Sequence, residues 1–106
     1  MYTQEKVNTL GKTRIFLDWF DAKDRLARKR INTRIKRAEE GIFGDVRTVG
    51  DGVYEMRFKK LGYRLYFFQR AKQLYWMLAG GDKSTQAEDI RLAKEVKLRI
   101  ERGEKC

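Results

Sequence analysis

The chain has no histidine, and its single cysteine, Cys106, is the last residue. Without imidazole, Ser-His and Cys-His nucleophile pairs and ordinary zinc hydrolysis are excluded. One thiol allows neither an intramolecular disulfide nor a thiolate cluster, so no metal and no cofactor is expected. No apolar run approaches a bilayer span, and no N-terminal segment has the basic, apolar and small-residue order of a signal peptide. A soluble cytoplasmic protein with no membrane contact is therefore expected. The sequence also lacks internal repeats and low-complexity linkers.

Positive charge is in excess. Twenty-five lysines and arginines against 15 acidic residues give a net charge of +10. Such a field attracts polyanions: nucleic acid, an anionic surface or an acidic protein. Hydrophobic residues make up 42% of the 106 residues and charged residues 38%, with the two interleaved instead of blocked. That balance fits one folded domain over residues 1–106.

Residues 2–9 read as a weak opening strand, interrupted by Gly11. Ile15, Phe16, Trp19 and Phe20 then have the spacing of a short amphipathic helix. Ala27, Ile31, Ile35 and Ala38 mark the buried stripe of a second, strongly basic helix, with Asp24 as its N-cap and Gly41 just past its end. From Asp45 the period changes to two, predicting strands at 45–49, 53–59, 63–70 and 73–80 joined by turns at 51–52, 61–62 and 71–72. Thr85 and Glu88 fit a capping box before a third helix carrying Ile90, Leu92, Ala93, Val96 and Ile100. The expected class is α+β: two N-terminal helices on a twisted antiparallel sheet of four to five strands, plus a C-terminal helix.

The most aromatic stretch, GYRLYFFQR at 62–70, contains Arg64. If Phe58 faces Tyr63 and Arg70 faces Gln73, one side of the sheet collects Tyr54, Met56, Phe58, Tyr63, Leu65, Phe67, Leu74, Trp76 and Leu78 as core. The other side collects Glu55, Arg57, Arg64, Tyr66, Phe68, Tyr75, Met77 and Ala79. Arg57 then lies directly across from Arg64, with Ala79 on the other flank. Like charges so placed destabilise a sheet and call for an anionic partner. A solvated face with Glu55 neutralising Arg57 accounts for them equally well. Tyr66, Phe68 and Tyr75 beside guanidinium groups, with Lys59 nearby, suit base stacking and phosphate binding, or else pack under a loop or terminus. Lys83, between the last strand and a helix start, is a further anion-binding candidate.

In order and spacing, FLDWF, RINTRI, the GD at 44–45, VGDGVYEMRF, GYRLYF and GGDKSTQAEDI resemble the RelE/ParE superfamily of toxin–antitoxin toxins, in particular its HigB-like addiction-module killer branch. The likeness runs from about Phe16 to Ala93. It implies a small toxin that cuts messenger RNA on the ribosome and is silenced by a cognate antitoxin, with ribosomal RNA as a further contact. Carried over by motif, the active positions are Arg57, Arg64 and Lys83. ParE relatives instead poison DNA gyrase, and a non-toxic domain binding nucleic acid or antitoxin is a third reading.

Cleavage without metal or histidine implies attack by the substrate's own 2′-hydroxyl on the adjacent phosphate. The protein then orients the strand, stabilises the phosphorane and moves two protons. Arg57 and Arg64 suit the charge role and Lys83 the phosphate or leaving oxygen. Glu55, a lysine and Tyr66 remain open as the general base.

Overall fold

Thr13 closes the first strand and opens the first helix. Its hydroxyl accepts from the Phe16 amide at 3.0 Å and donates to the Leu78 carbonyl at 2.9 Å, pinning the junction to the last strand. The computed structural model describes residues 6–106, so the part of the expected opening strand over residues 2–5 lies outside the described residues. The chain runs β1 (Thr9–Lys12), α1 (Arg14–Asp21), α2 (Arg25–Glu39), β2 (Val46–Gly50), β3 (Val53–Phe58), β4 (Tyr63–Ala71), β5 (Leu74–Asp82), a short 3-10 turn (Lys83–Thr85) and α3 (Gln86–Glu101).

The sheet order is β1-β5-β4-β3-β2. β2 to β5 form the expected antiparallel meander, and β1 adds a parallel edge beside β5. Gly11 lies inside β1 instead of ending it. The indole of Trp76 lies where a Cβ at that position would fall, at 2.7 Å, so only glycine lets the edge strand close over the ring. The ring of Trp19 meets Gly80 in the same way.

Helix α2 follows its periodicity: Ala27, Ile31, Ile35 and Ala38 are its buried residues, and the Asp24 carboxylate caps it by accepting from Ala27 N at 2.8 Å. Ile31, Ile35 and Ala38, with Phe16 of α1, pack on Leu10, Met56, Phe58, Leu65, Phe67 and Met77. A second core lies on the opposite face of the sheet. There Ala93 and Val96 of α3 cover Val53, Tyr66, Phe68, Leu78 and Ala79. Both faces of the sheet are therefore dry, and the expected open face is largely occupied by α3.

The first hairpin has the expected register, Phe58 opposite Tyr63 and Arg57 opposite Arg64. The second differs. Its turn sits at Lys72–Gln73, with Ala71 opposite Leu74 and Gln73 at φ 62°, and the ladder shifts between Tyr66 and Phe67 so that Leu78 bulges. Tyr75 and Met77 consequently face α1 and α2, while Trp76 and Leu78 face α3, the reverse of the expectation. Arg64 lies opposite Gly81, not Ala79. The capping box also moves by three residues: Asp82 accepts from Ser84 N at 2.8 Å, and the Thr85 hydroxyl accepts from Asp82 N, leaving Thr85 without a side-chain cap bond to α3. Among the described residues no helix is long and apolar enough to cross a membrane.

Phe68, 2% exposed, joins β4 to α3, and Lys97 lies 5.5 Å over its ring. Phe68→Ala should cost about 3–5 kcal/mol, seen as a lower urea midpoint at unchanged slope. An unmoved midpoint would show that α3 does not contribute to the cooperative unit.

Candidate nucleic-acid interface

Strands β3, β4 and β5 end together, and across that end Arg57, Arg64 and Gly81 sit in one row of the ladder. Adjacent side chains in such a row are about 5 Å apart at Cβ. Lys83 follows two residues after Gly81, exposed and with no ion-pair partner among the described residues.

The like-charge pair is relieved from within. Arg57 Nη2 donates to Asp45 Oδ1 at 3.0 Å, and the Arg57 amide donates to the Asp45 carbonyl at 3.0 Å. Arg64 has its Nε 3.5 Å from Glu55 Oε2. The two side chains of one row pair with different carboxylates, Arg57 with Asp45 and Arg64 with Glu55. Each arginine thus has its own carboxylate, although Arg57 Nε, Arg64 Nε and Asp45 Oδ2 are buried without a hydrogen-bond partner among the described residues, and Glu55 serves Arg64 instead of Arg57.

Glu55 is fully buried. Its carboxylate accepts from Arg47 Nε at 2.8 Å, Gln86 Nε2 at 2.8 Å and Tyr66 Oη at 3.1 Å, with Arg64 beside it. Burial alone would push this carboxyl up, but the donors from Arg47, Gln86 and Tyr66, then the charge of Arg47, hold it below its ordinary value. Burial, followed by the Glu55 charge, raises the Tyr66 phenol. Neither group is available as a base: one is ionised and fully engaged, the other is a buried donor.

Tyr66 and Phe68 offer no surface for a base, being 0% and 2% exposed beneath α3. Tyr75 is on the other face, packed 5.0 Å from Phe43 and 6.3 Å from Phe67. Sequence alternation placed Tyr66 and Phe68 on the right face but gave no sign that α3 covers it, and the Leu78 bulge moved Tyr75. The half-exposed rings near the row are instead Trp19 and Tyr63, 5.6 Å apart, with Lys23 5.0 Å from each.

Lys59 lines a cleft of ≈ 740 Å³ between α2 and the β3–β4 turn, together with Arg30, Arg34, Arg37, Arg57 and Lys60 against the single acid Asp45. Arg34 shapes its floor. It donates to the carbonyls of Arg57 at 2.8 Å and Phe43 at 3.2 Å and lies 4.6 Å over the Phe58 ring. Sequence reasoning saw a basic helix here but not the cleft, because Arg34 and Asp45 meet only through the tertiary fold. Asp45 is held below the usual carboxylate range by its hydrogen bond from Arg57. Among the described residues no group of three or more His, Cys, Asp or Glu could hold a metal ion.

Residues 18–100 match the family described as phage-derived protein Gp49-like (DUF891). A protein of Haemophilus influenzae described as uncharacterized is 44% identical over 84 residues, 77% of this chain and 85% of that protein. Among solved structures, the isolated E. coli RelE toxin superposes with a TM-score of 0.61 at 14% identity, covering 79% of this chain and 96% of RelE. At that identity the likeness is one of fold.

Because the folded Glu55 carboxyl lies below its unfolded value of about 4.3, its contribution is fully present above that pH and lost as pH falls through the folded value. Glu55→Gln should be less stable near neutrality by on the order of 3 kcal/mol. The gap from the unaltered protein should narrow as pH falls below about 4.3. A gap constant from pH 7 to pH 3 would contradict this role for the charge.

Proposed function

The chain belongs to the phage-derived Gp49-like family, and from that membership and the cationic end of its sheet we propose that it is a HigB-like toxin of a type II toxin–antitoxin system, acting as a single cytoplasmic RelE/ParE-like domain. Its activity is cleavage of messenger RNA on the ribosome without a metal, and the product is arrested translation. The carrying observation is the row Arg57, Arg64, Gly81 with Lys83 beyond it, cations on two neighbouring strands and just after the third, on a fold shared with a protein named a toxin.

The chemistry follows from what the row offers. A phosphate at the row meets guanidinium groups already oriented by Asp45 and Glu55, so little reorganisation opposes stabilisation of the phosphorane. The 2′-oxygen attacks the adjacent phosphorus, the bond to the 5′-oxygen breaks, and a cyclic phosphate and a 5′-hydroxyl result. Lys83, exposed and uncommitted, supplies the proton to the departing oxygen. The α2 cleft, with six cations to one carboxylate, suits a neighbouring RNA backbone such as ribosomal RNA. An acidic segment of the cognate antitoxin would cover the same charges.

Inducing the chain alone in bacteria should arrest growth and create new 5′ ends within translated codons. Lys83→Ala, which removes no hydrogen bond or ion pair from the described structure, should lower cleavage about 100-fold or more, and Arg57→Ala with Arg64→Ala should abolish it. Arrest with uncut messages would move the function to gyrase poisoning, and unaffected growth would leave a binding domain.

A further inference from the structure

Cleavage by this row needs a group that takes the proton of the 2′-hydroxyl, and the carboxylates nearest the row are mostly engaged. Asp45 gives Oδ1 to Arg57 while its Oδ2 is buried away from solvent without a hydrogen-bond partner among the described residues, and Glu55 is bonded on every side. Asp82 accepts from the Ser84 hydroxyl at 2.6 Å and the Ser84 amide at 2.8 Å, which hold it below its ordinary value. Asp89 differs from all three. It projects from the first turn of α3 onto Gly81, and its Oδ2 occupies the space that a side chain at position 81 would fill.

Gly81 is directly opposite Arg64, and side chains so paired share a face about 5 Å apart. The carboxyl of Asp89 thus takes the third place in the row, beside the stem of Arg64. This also explains the glycine: any Cβ there would strike Asp89. The Thr85 hydroxyl donates to Oδ2, while Oδ1 has no partner among the described residues, and no cation forms an ion pair with the group.

We propose that Asp89 is the general base of the reaction, its free oxygen taking the 2′-hydroxyl proton while Thr85 and the glycine floor fix its orientation. The inference rests on the ribonuclease reading above. As the new O–P bond forms, the proton passes to Asp89; as the bond to the 5′-oxygen breaks, Lys83 donates its own. One proton is gained and one given, and no co-reactant is needed. Burial, with the charges of Asp82 and Glu88, raises the carboxyl above the ordinary value against the Thr85 hydrogen bond, which gives it more proton affinity than the engaged acids. Tyr66 faces it from β4 as a protonated phenol, and Arg64 stands across Gly81 on the same strand.

The test is single-turnover cleavage of a ribosome-bound message between pH 4 and 8 by the full chain, Asp89→Asn, Asp89→Glu and Thr85→Ala. The unaltered protein should show a rate that rises with pH through the Asp89 titration. Asp89→Asn should lose about 100-fold or more and the rising limb with it, while keeping its urea midpoint. Asp89→Glu should recover part of the rate. Thr85→Ala, having lost a hydrogen bond that favours the ionised carboxyl, should shift the limb to higher pH, an effect no merely structural role produces. Cleavage by Asp89→Asn within a few-fold of the original, or a limb unmoved by Thr85→Ala, would overturn the assignment while leaving the nuclease reading intact. Failure of the unaltered chain to cut any message would overturn both.

Discussion

The buried Glu55 carboxylate is the point on which the rest of the structure depends. It accepts from β2 through Arg47, from β4 through Tyr66 and from the start of α3 through Gln86, with the Arg64 guanidinium beside it. A carboxylate taken out of water is tolerated only when its lone pairs are satisfied and its charge is balanced, and here both conditions are met by residues from three elements. The same contacts fix where α3 lies on the sheet. α3 in turn closes the second core over Tyr66 and Phe68 and carries Asp89 to Gly81.

This arrangement separates two functions that the alternation pattern had merged. The face expected to bind RNA with its aromatics is a second hydrophobic core, and only its edge, where β3, β4 and β5 end, remains polar and accessible. There the two arginines pair with different carboxylates, Arg57 with Asp45 and Arg64 with Glu55, so their mutual repulsion is relieved before any ligand arrives. Groups fixed in this way are suited to stabilising charge that develops during a reaction, because they need not reorganise when it appears. The unneutralised charge lies alongside, on Lys83 and the cations of the α2 cleft, where it attracts a polyanion instead of supporting the fold.

Much of this was legible in the residues, for identifiable reasons. The stripe of α2 was readable because Ala27, Ile31, Ile35 and Ala38 repeat at helical spacing and Asp24 is of a type that caps helices. The Phe58–Tyr63 register followed from the glycine turn at 61–62. The β4–β5 register was not legible, because its turn uses Gln73 with a positive φ and its ladder is broken by a bulge at Leu78, neither of which has a local sequence signal. Arg57, Arg64 and Lys83 were proposed from register and motif, whereas Asp45, Gln86 and Asp89 have contacts 12, 31 and 8 residues away in sequence, made only on folding: Asp45 with Arg57, Gln86 with Glu55, Asp89 with Gly81. The burial of Tyr66 and Phe68 was one of two readings, and what decides it, α3, was illegible for the same reason. Alternation gives the face of a strand but not what covers it.

The central claim is that this row of side chains promotes attack by the ribose 2′-hydroxyl. The most direct measurement is to offer ribosomes programmed with one message in two forms, identical except for a single 2′-deoxyribose at the cleaved position, and to identify the termini produced. The account predicts a 2′,3′-cyclic phosphate and a 5′-hydroxyl from the all-ribose message and no cleavage at the deoxy position. Cleavage of the deoxy form at the same bond, or a 5′-phosphate on the product, would contradict it.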